Sequence, residues 1–156
     1  MILETKEDEP KWRICQNFSQ INKVTQVAPM PEGDICGKQQ WLSGHQWLSM
    51  SNFAAGFYAV LVDPESQPYT AFYVEGWGYF WYKWMPFGLT GAPSTFAHMT
   101  GQHLYDLLVK EIMELFVYDG GTAADTFSEM MDKLRHIFTR IHEWVCHYQQ
   151  ASPSCL

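Results

Sequence analysis

Residues 85–96 read MPFGLTGAPSTF, a proline- and glycine-rich loop that leads into a possible helix. Pro93 followed by Ser94 is typical of a helix start, because proline fits the first turn and serine caps free backbone N–H groups. Beyond this point apolar residues recur close to the 3.6-residue helical period, at Phe96, Met99, Leu104, Leu107 and Leu108. The stretch therefore predicts a loop followed by a helix with one buried face.

Short apolar and aromatic segments flank this helix on both sides and predict strands. The predicted strands are residues 57–62, 70–74, 79–82 and 115–118. Asp63-Pro64 stops the first strand, and the second and third form an aromatic hairpin. The fourth runs into Asp119-Gly120-Gly121, which is a tight-turn signal.

A second amphipathic helix is predicted near the C-terminus. Thr122, with Asp125 three residues later, resembles a capping box. Behind it comes an apolar stripe at helical spacing, formed by Phe127, Met130, Met131, Leu134, Ile137, Phe138 and Ile141. We interpret this stripe as core. The order of elements predicts an α+β fold with helices packed on one face of an antiparallel sheet.

The N-terminal third carries weaker signals. Residues 1–10 are acidic and end at a proline, which suggests a loose leader, and residues 12–24 predict a strand followed by a turn. Residues 28–46 are rich in proline and glycine, so we expect a loop-rich connector with a short helix near residues 35–42.

Composition excludes several classes of protein. The chain has 156 residues, 47% of them hydrophobic and 16% aromatic, which allows one packed domain and argues against disorder. Apolar runs fall short of the roughly 18–20 residues that span a bilayer, and the N-terminus lacks a secretory signal, so we expect an intracellular, non-secreted chain without membrane partners. Ten Lys and Arg against 17 Asp and Glu give a net charge of −7, which disfavours strong autonomous binding of nucleic acid. Neither the scattered cysteines nor the C-terminal histidines have metal-ligand spacing.

Asp119 is the first candidate for chemistry. A carboxylate that follows an apolar strand is exposed yet held on a rigid scaffold, which suits a metal-binding or catalytic role. Asp-Gly is also the commonest dipeptide of hairpin turns, so the local pattern leaves a purely structural interpretation open.

Five motifs in order make the chain resemble the fingers-and-palm region of reverse transcriptases, and those of gypsy-type LTR retrotransposons in particular. Trp12–Asn22 is similar to the fingers motif W-R-x-x-x-D-[YF]-R-x-L-N, and Leu48–Tyr58 to the first palm motif S-x-x-D-x-x-x-G-[YF]. Thr70–Phe72 resembles the K-T-A-F element, and Phe116–Asp119 stands where the family has [YF]-x-D-D. Met85–Phe96 matches M-P-F-G-L-x-x-A-P-x-x-F almost letter for letter.

The resemblance implies a polymerase palm-like antiparallel sheet with helices packed on one face, together with partial fingers and no thumb. The implied divisions are an acidic leader (1–10), partial fingers (11–46), a palm-like region (47–145) and a frayed tail (146–156). The family synthesises DNA on an RNA template-primer from dNTPs, by phosphoryl transfer at two Mg²⁺ or Mn²⁺ ions that three carboxylates hold.

Two of those three carboxylates are missing from this sequence. The first palm Asp is replaced by Asn52, and the first Asp of the hairpin pair by Tyr118, so that Asp119 alone remains as a catalytic and metal-binding acid. Asn52 offers only a neutral oxygen, and a tyrosine phenol is protonated near pH 7. The family consists of enzymes, but we predict that this domain is catalytically inactive. We also predict that it binds metal and template weakly.

The resemblance also marks nucleotide-binding positions. Arg13 matches a triphosphate-contacting arginine, Phe57 matches the ring beneath the sugar, and Phe87 and Gly88 match the motif behind the incoming nucleotide. Core packing for the two rings, and stacking of Arg13 on a neighbouring indole, are equally acceptable interpretations. The alternative function is a non-catalytic module that binds nucleic acid or protein, or associates with itself, through the aromatic residues 77–84.

Overall fold

The computed structural model describes residues 2–6, 9–13, 16–30, 33–53 and 56–150, with the side chains of residues 16–145 described within those ranges. The strands are β1 (Ile2–Lys6), β2 (Glu9–Arg13), β3 (Trp47–Asn52), β4 (Phe72–Val74), β5 (Gly78–Phe80), β6 (Glu114–Phe116) and β7 (Asp119–Ala124). All of their pairings are antiparallel, and the largest sheet has the order β3-β7-β6.

The helices are α1 (Ser19–Val24), α2 (Ile35–Leu42), α3 (Ala92–His103), α4 (Tyr105–Val109) and α5 (Phe127–Gln150), with short 3₁₀ turns at Gly56–Ala59 and Gln67–Thr70. Helices α5 and α2 contact the central strand of the largest sheet. The predicted α+β class is therefore confirmed, as are the short helix at residues 35–42 and the helix start near Pro93. Among the described residues, no helix is both long and apolar enough to cross a membrane.

Two apolar clusters form the core on either side of Phe53, which packs against both. The first contains Phe57, Val60, Met85, Ala92, Phe96, Met99 and Trp144. The second contains Leu104, Leu107, Met113, Leu115 and Ile137. Phe96 of α3 and Leu104, which lies between α3 and α4, are fully buried, so the segment that follows residues 85–96 contributes to both clusters.

The predicted strand at residues 57–62 is wrong. Residues 56–59 form a 3₁₀ turn instead, and Leu61 makes only an isolated bridge to Trp84. Phe57 and Val60 are both buried and lie three residues apart, which is the repeat of a 3₁₀ helix. Packing of these two side chains on one face explains why an apolar run did not become a strand.

The predicted tight turn at Asp119–Gly121 is also displaced. Phe116 pairs with Asp119, so the two-residue turn is Val117-Tyr118, and both glycines lie inside β7. A Cβ atom on Gly120 would lie 2.8 Å from Met113 Cε and 3.2 Å from Ser51 Oγ. Close packing within the sheet, and not turn geometry, therefore favours glycine here.

The start of α5 differs from the predicted capping box as well. Thr122 is buried inside β7, where its hydroxyl donates to the Ile112 carbonyl at 2.6 Å. Thr126 caps the helix instead, accepting from the Glu129 backbone N–H at 3.2 Å. Of the predicted apolar stripe, Met130 and Ile137 are buried, whereas Phe127, Met131 and Phe138 are exposed. Only part of the predicted stripe therefore contributes to the core.

The N-terminal residues also depart from the prediction. β1 lies within the predicted loose leader and pairs with β2, so this part of the chain forms a hairpin. Residues 12–24 predict a strand followed by a turn. In place of the turn, the chain forms the helix α1. The division of the chain into leader, fingers, palm and tail remains a prediction.

Candidate functional site

The end of β3 and the beginning of β7 bring two of the predicted site residues together. Asn52 and Asp119 are register partners in the antiparallel pair, 67 positions apart in the chain. The Asn52 side-chain amide donates to Asp119 Oδ1 at 2.6 Å. The Asp119 carboxylate is therefore bonded directly to the amide of a residue at which the resemblance places another acid.

The turn that presents Asp119 has an unusual backbone. Val117 has a φ of +56°, which is the left-handed region that β-branched residues avoid. The turn is tied to the end of β3, because the Phe53 backbone N–H donates to the Tyr118 carbonyl at 2.9 Å. The site is consequently held by backbone bonds from two segments that are distant in the sequence.

The Tyr118 ring belongs to the first core cluster. It lies edge-on to Phe57, with ring centroids 5.2 Å apart, and stacks on Phe96 at 5.8 Å. Burial raises the pKa of its phenol above the ordinary tyrosine value, so the ring is uncharged at neutral pH. A position that the resemblance assigns to an acid is thus occupied by a neutral ring that packs inward.

The other two predicted rings of the site join the same cluster. Phe57 is buried, and Phe87 is half-buried with its centroid 5.3 Å from that of Phe57. Rings from Phe87, Phe96 and Tyr118 enclose Phe57. The structure therefore places these predicted nucleotide-facing rings in core packing.

Gly88 lies in a loop that Asn22 clamps. Gly88 has a φ of +97°, a conformation that favours glycine. The Asn22 side chain donates to the Gly88 carbonyl at 2.8 Å and accepts from the Thr90 backbone N–H at 3.0 Å. Asn22 is not among the predicted site residues, although it closes the first quoted motif, and its amide joins α1 to the loop before α3.

Arg13 ends β2, but its side chain lies outside the described residues. Within the described part of the chain, no group of three or more His, Cys, Asp or Glu side chains is placed to hold a metal ion. A two-ion centre needs several anionic oxygens, and Asp119 with Asn52 offers one carboxylate and one amide. The residues present do not fit a two-metal centre.

The sequence is similar to polyproteins of retroelements. It is 30% identical over 134 residues to the retrovirus-related Pol polyprotein from transposon 297 of Drosophila melanogaster, covering 84% of this chain and 12% of the polyprotein. It is 28% identical over 96 residues to an RNA-directed DNA polymerase homolog of Oenothera berteroana, covering 62% of this chain and 67% of that protein. No protein-family model matches the sequence.

The fold is similar to that of solved reverse transcriptases. The prototype foamy virus protease-reverse transcriptase superposes with a TM-score of 0.72 at 21% identity, over 89% of this chain and 18% of the viral one. The foamy viral enzyme in complex with an RNA/DNA hybrid gives 0.72 at 23% identity, over 86% of this chain and 18% of that one. The resemblance to reverse transcriptases is confirmed, and this chain spans a small part of these larger proteins.

Proposed function

We propose that this chain, which is a reverse-transcriptase-like domain of retroelement origin, retains a palm fold but does not carry out templated DNA synthesis. The single observation that carries the proposal is the bond of 2.6 Å from the Asn52 amide to Asp119 Oδ1. It uses one oxygen of the only acid left at the centre. The gypsy-type assignment of the retroelement is part of the same proposal.

Charge is the physical reason. Mg²⁺ binds anionic oxygens and gives up its water reluctantly, so a pair of ions 3.5–4 Å apart, roughly the spacing of two-metal sites, requires several carboxylates to offset their mutual repulsion. One carboxylate supplies a single negative charge to that task, and one of its oxygens already accepts from the neighbouring amide. Ions, template-primer and dNTP are therefore bound weakly. The chain's charge of −7 weakens the binding of nucleic acid further, because the phosphate backbone is also negative.

Tyr118 adds a second obstacle. Its ring contributes packing on Phe57 and Phe96, so the hairpin gains stability at a position where the resemblance places an acid. Restoring an aspartate there removes this packing. A single substitution at Tyr118 therefore cannot both restore a metal ligand and keep the ring that anchors the hairpin.

The test is primer extension on an RNA template with dNTPs and Mg²⁺ or Mn²⁺, comparing the natural chain with the Asn52→Asp/Tyr118→Asp double revertant. We expect no extension by the natural chain. Extension by the revertant alone would attribute the loss to the missing carboxylates. Extension by the natural chain would refute the proposal.

Binding of metal gives a readout that does not depend on activity. Asn52→Asp alone places two carboxylates side by side, so its melting temperature should fall in EDTA and recover with Mn²⁺. The matched control is Ser49→Asp, a half-buried position three residues earlier on the same strand. Its melting temperature should not depend on Mn²⁺. An equal Mn²⁺ response in both variants would mean that the centre is not a specific metal site.

A second function is favoured by the β4–β5 hairpin, namely binding of a macromolecule without catalysis. Tyr73, Trp77 and Tyr79 are 62%, 79% and 73% exposed. Exposed aromatic clusters are typical of interaction surfaces. Because the chain is acidic, we place a protein partner, including a second copy, ahead of nucleic acid.

Two measurements separate these partners. Sedimentation over a range of concentrations detects self-association, and titration with template-primer at two salt concentrations detects nucleic acid. Tyr73→Ser/Tyr79→Ser should weaken whichever interaction is present. The control is Tyr105→Ser, which removes a ring that is 66% exposed on α4. Absence of both interactions, or equal loss in the control, would reject this function.

A further inference from the structure

A cavity of about 360 Å³ lies between α2, α3 and β6, and its wall reaches Val117 in the turn of the β6–β7 hairpin. We propose that this α2–α3 pocket binds a compact, uncharged, largely aromatic small molecule. Apolar side chains make most of its wall: Met30, Ile35, Ala97, Leu108, Leu115 and Phe116. The proposal does not depend on whether the domain is a polymerase.

The size of the pocket argues for a ligand. Packed interiors have few voids larger than a water molecule, whereas sites for small molecules measure about 300–1,000 Å³. A volume of about 360 Å³ falls at the lower end of that range. The ligand is therefore compact, and its surface is mainly apolar.

A missing side chain keeps the pocket open. Gly101 lies inside α3, where glycine costs about 1 kcal/mol relative to alanine. Its φ is not positive, and a Cβ atom built on it meets no heavy atom within 4 Å. Neither backbone conformation nor packing requires glycine at this position. What glycine does here is leave volume in the pocket.

Lys38 supplies the polar group of the pocket. Its ammonium donates to the Leu115 carbonyl at 2.7 Å and lies 3.8 Å from Glu114 Oε2. The Leu115 carbonyl accepts from one of its three N–H donors, and the Glu114 carboxylate lies beside the ammonium at ion-pair distance, beyond a hydrogen bond. A remaining donor suits a ligand carbonyl or ring nitrogen.

The charge of the ligand follows from the same contacts. Glu114 already balances the Lys38 ammonium, so a ligand carboxylate would meet the repulsion of a second acid. A cationic ligand would meet Lys38 itself. An uncharged molecule with one hydrogen-bond acceptor is therefore the ligand class that is compatible with both Lys38 and Glu114. The Lys38 ammonium also lies 5.7 Å from the centre of the Phe116 ring, so an aromatic ligand has a ring and a cation beside it.

The α2 wall is poorly supported by the protein alone. α2 contains no buried residue, and Ile35 is 48% exposed although it lines the pocket. A ligand between α2 and α3 would cover this apolar surface. We therefore expect binding to slow amide hydrogen exchange in α2.

Benzophenone is the probe, because it is uncharged, has two rings and one carbonyl acceptor, and inserts into nearby C–H bonds on irradiation. We expect saturable labelling of the natural chain at Met30 or the other wall residues. Gly101→Leu should fill the pocket and reduce labelling at least tenfold while α3 remains folded by circular dichroism. Lys38→Met, which removes the donor, should weaken binding about fivefold.

The matched control is Gln102→Leu, which adds an apolar side chain to the exposed face of the same helix. It should label within twofold of the natural chain. Ala97→Phe is a second filling variant for use if Gly101→Leu does not fold. Labelling that persists in a folded filled variant, or that maps to the β4–β5 aromatics, would overturn the proposal, as would an absence of saturable labelling.

Discussion

The two hairpins of this domain use aromatic residues in opposite ways. In the β6–β7 hairpin the Tyr118 ring turns inward onto Phe57 and Phe96, and the strand behind it is buried. In the β4–β5 hairpin Tyr73 and Tyr79 pair with each other at 5.2 Å, and both remain largely exposed.

The difference follows from what each hairpin packs against. β7 is the central strand of a three-stranded sheet, with β3 on one side and β6 on the other. β4 and β5 form a two-stranded sheet of their own. An isolated two-stranded hairpin has little core to join, so its rings stay available for other contacts. The first hairpin packs its ring into the core at a position where the resemblance places a metal ligand, and the second presents a surface.

The largest expected effect comes from truncating matched tyrosines in the two hairpins. Tyr118→Ala should lower the free energy of unfolding by about 2–3 kcal/mol, because it removes a half-buried ring from the core. Tyr79→Ala should cost less than about 1 kcal/mol, since only a cross-strand pair is lost. Urea unfolding of both variants measures the difference, and equal losses would contradict the contrast between the hairpins.

Glycine substitution sharpens the same comparison. Gly120→Val should cost about 1–3 kcal/mol, because the new side chain meets Met113 and Ser51 within the sheet. Gly76 in the other hairpin has a φ of +81° and open space around it, so Gly76→Ala should cost about 1 kcal/mol through the backbone alone. A Gly120→Val chain as stable as the natural one would show that the sheet is looser than described.

A substitution in the turn of the β6–β7 hairpin should increase the stability of the chain. Val117→Asn should raise the free energy of unfolding by about 0.5–1 kcal/mol, because asparagine accepts a left-handed φ more readily than a β-branched residue. Val74→Asn, in an extended strand of the other hairpin, should not stabilise the chain. Melting temperatures compare the two, and destabilisation by Val117→Asn would mean that the valine side chain outweighs the strain.

The smallest effect is a dependence of stability on alkaline pH. Burial raises the pKa of Tyr118 in the folded state, so between its unfolded and folded values the folded chain holds more protons. Stability from this source is present below about pH 10, the ordinary tyrosine value, and is lost as pH rises through the folded pKa. The fall in urea midpoint from pH 8 to pH 10.5 should be shallower in Tyr118→Phe. Identical slopes would indicate that the phenol is not protected from water.

Local patterns were sufficient for several elements. The helix at residues 35–42, the aromatic hairpin and the long C-terminal helix were all predicted from turn residues and periodicity. Ordered motifs were sufficient for the resemblance to reverse transcriptases. Local patterns failed at residues 56–59 and at Gly120, where apolar content and a glycine pair favoured a strand and a turn. In both places contacts with distant side chains prevailed over local preference.

What the sequence determined is the loss of charge at Asn52 and Tyr118, two positions where the resemblance places acids, and the presence of Asp119, because charge is a property of each side chain wherever it lies. The consequences of that loss depend on contacts between distant segments. Antiparallel register sets Asn52 against Asp119, and packing turns Tyr118 into the core. Register and packing arise from the whole chain at once, since a pair 67 positions apart is specified by neither member's surroundings in the sequence.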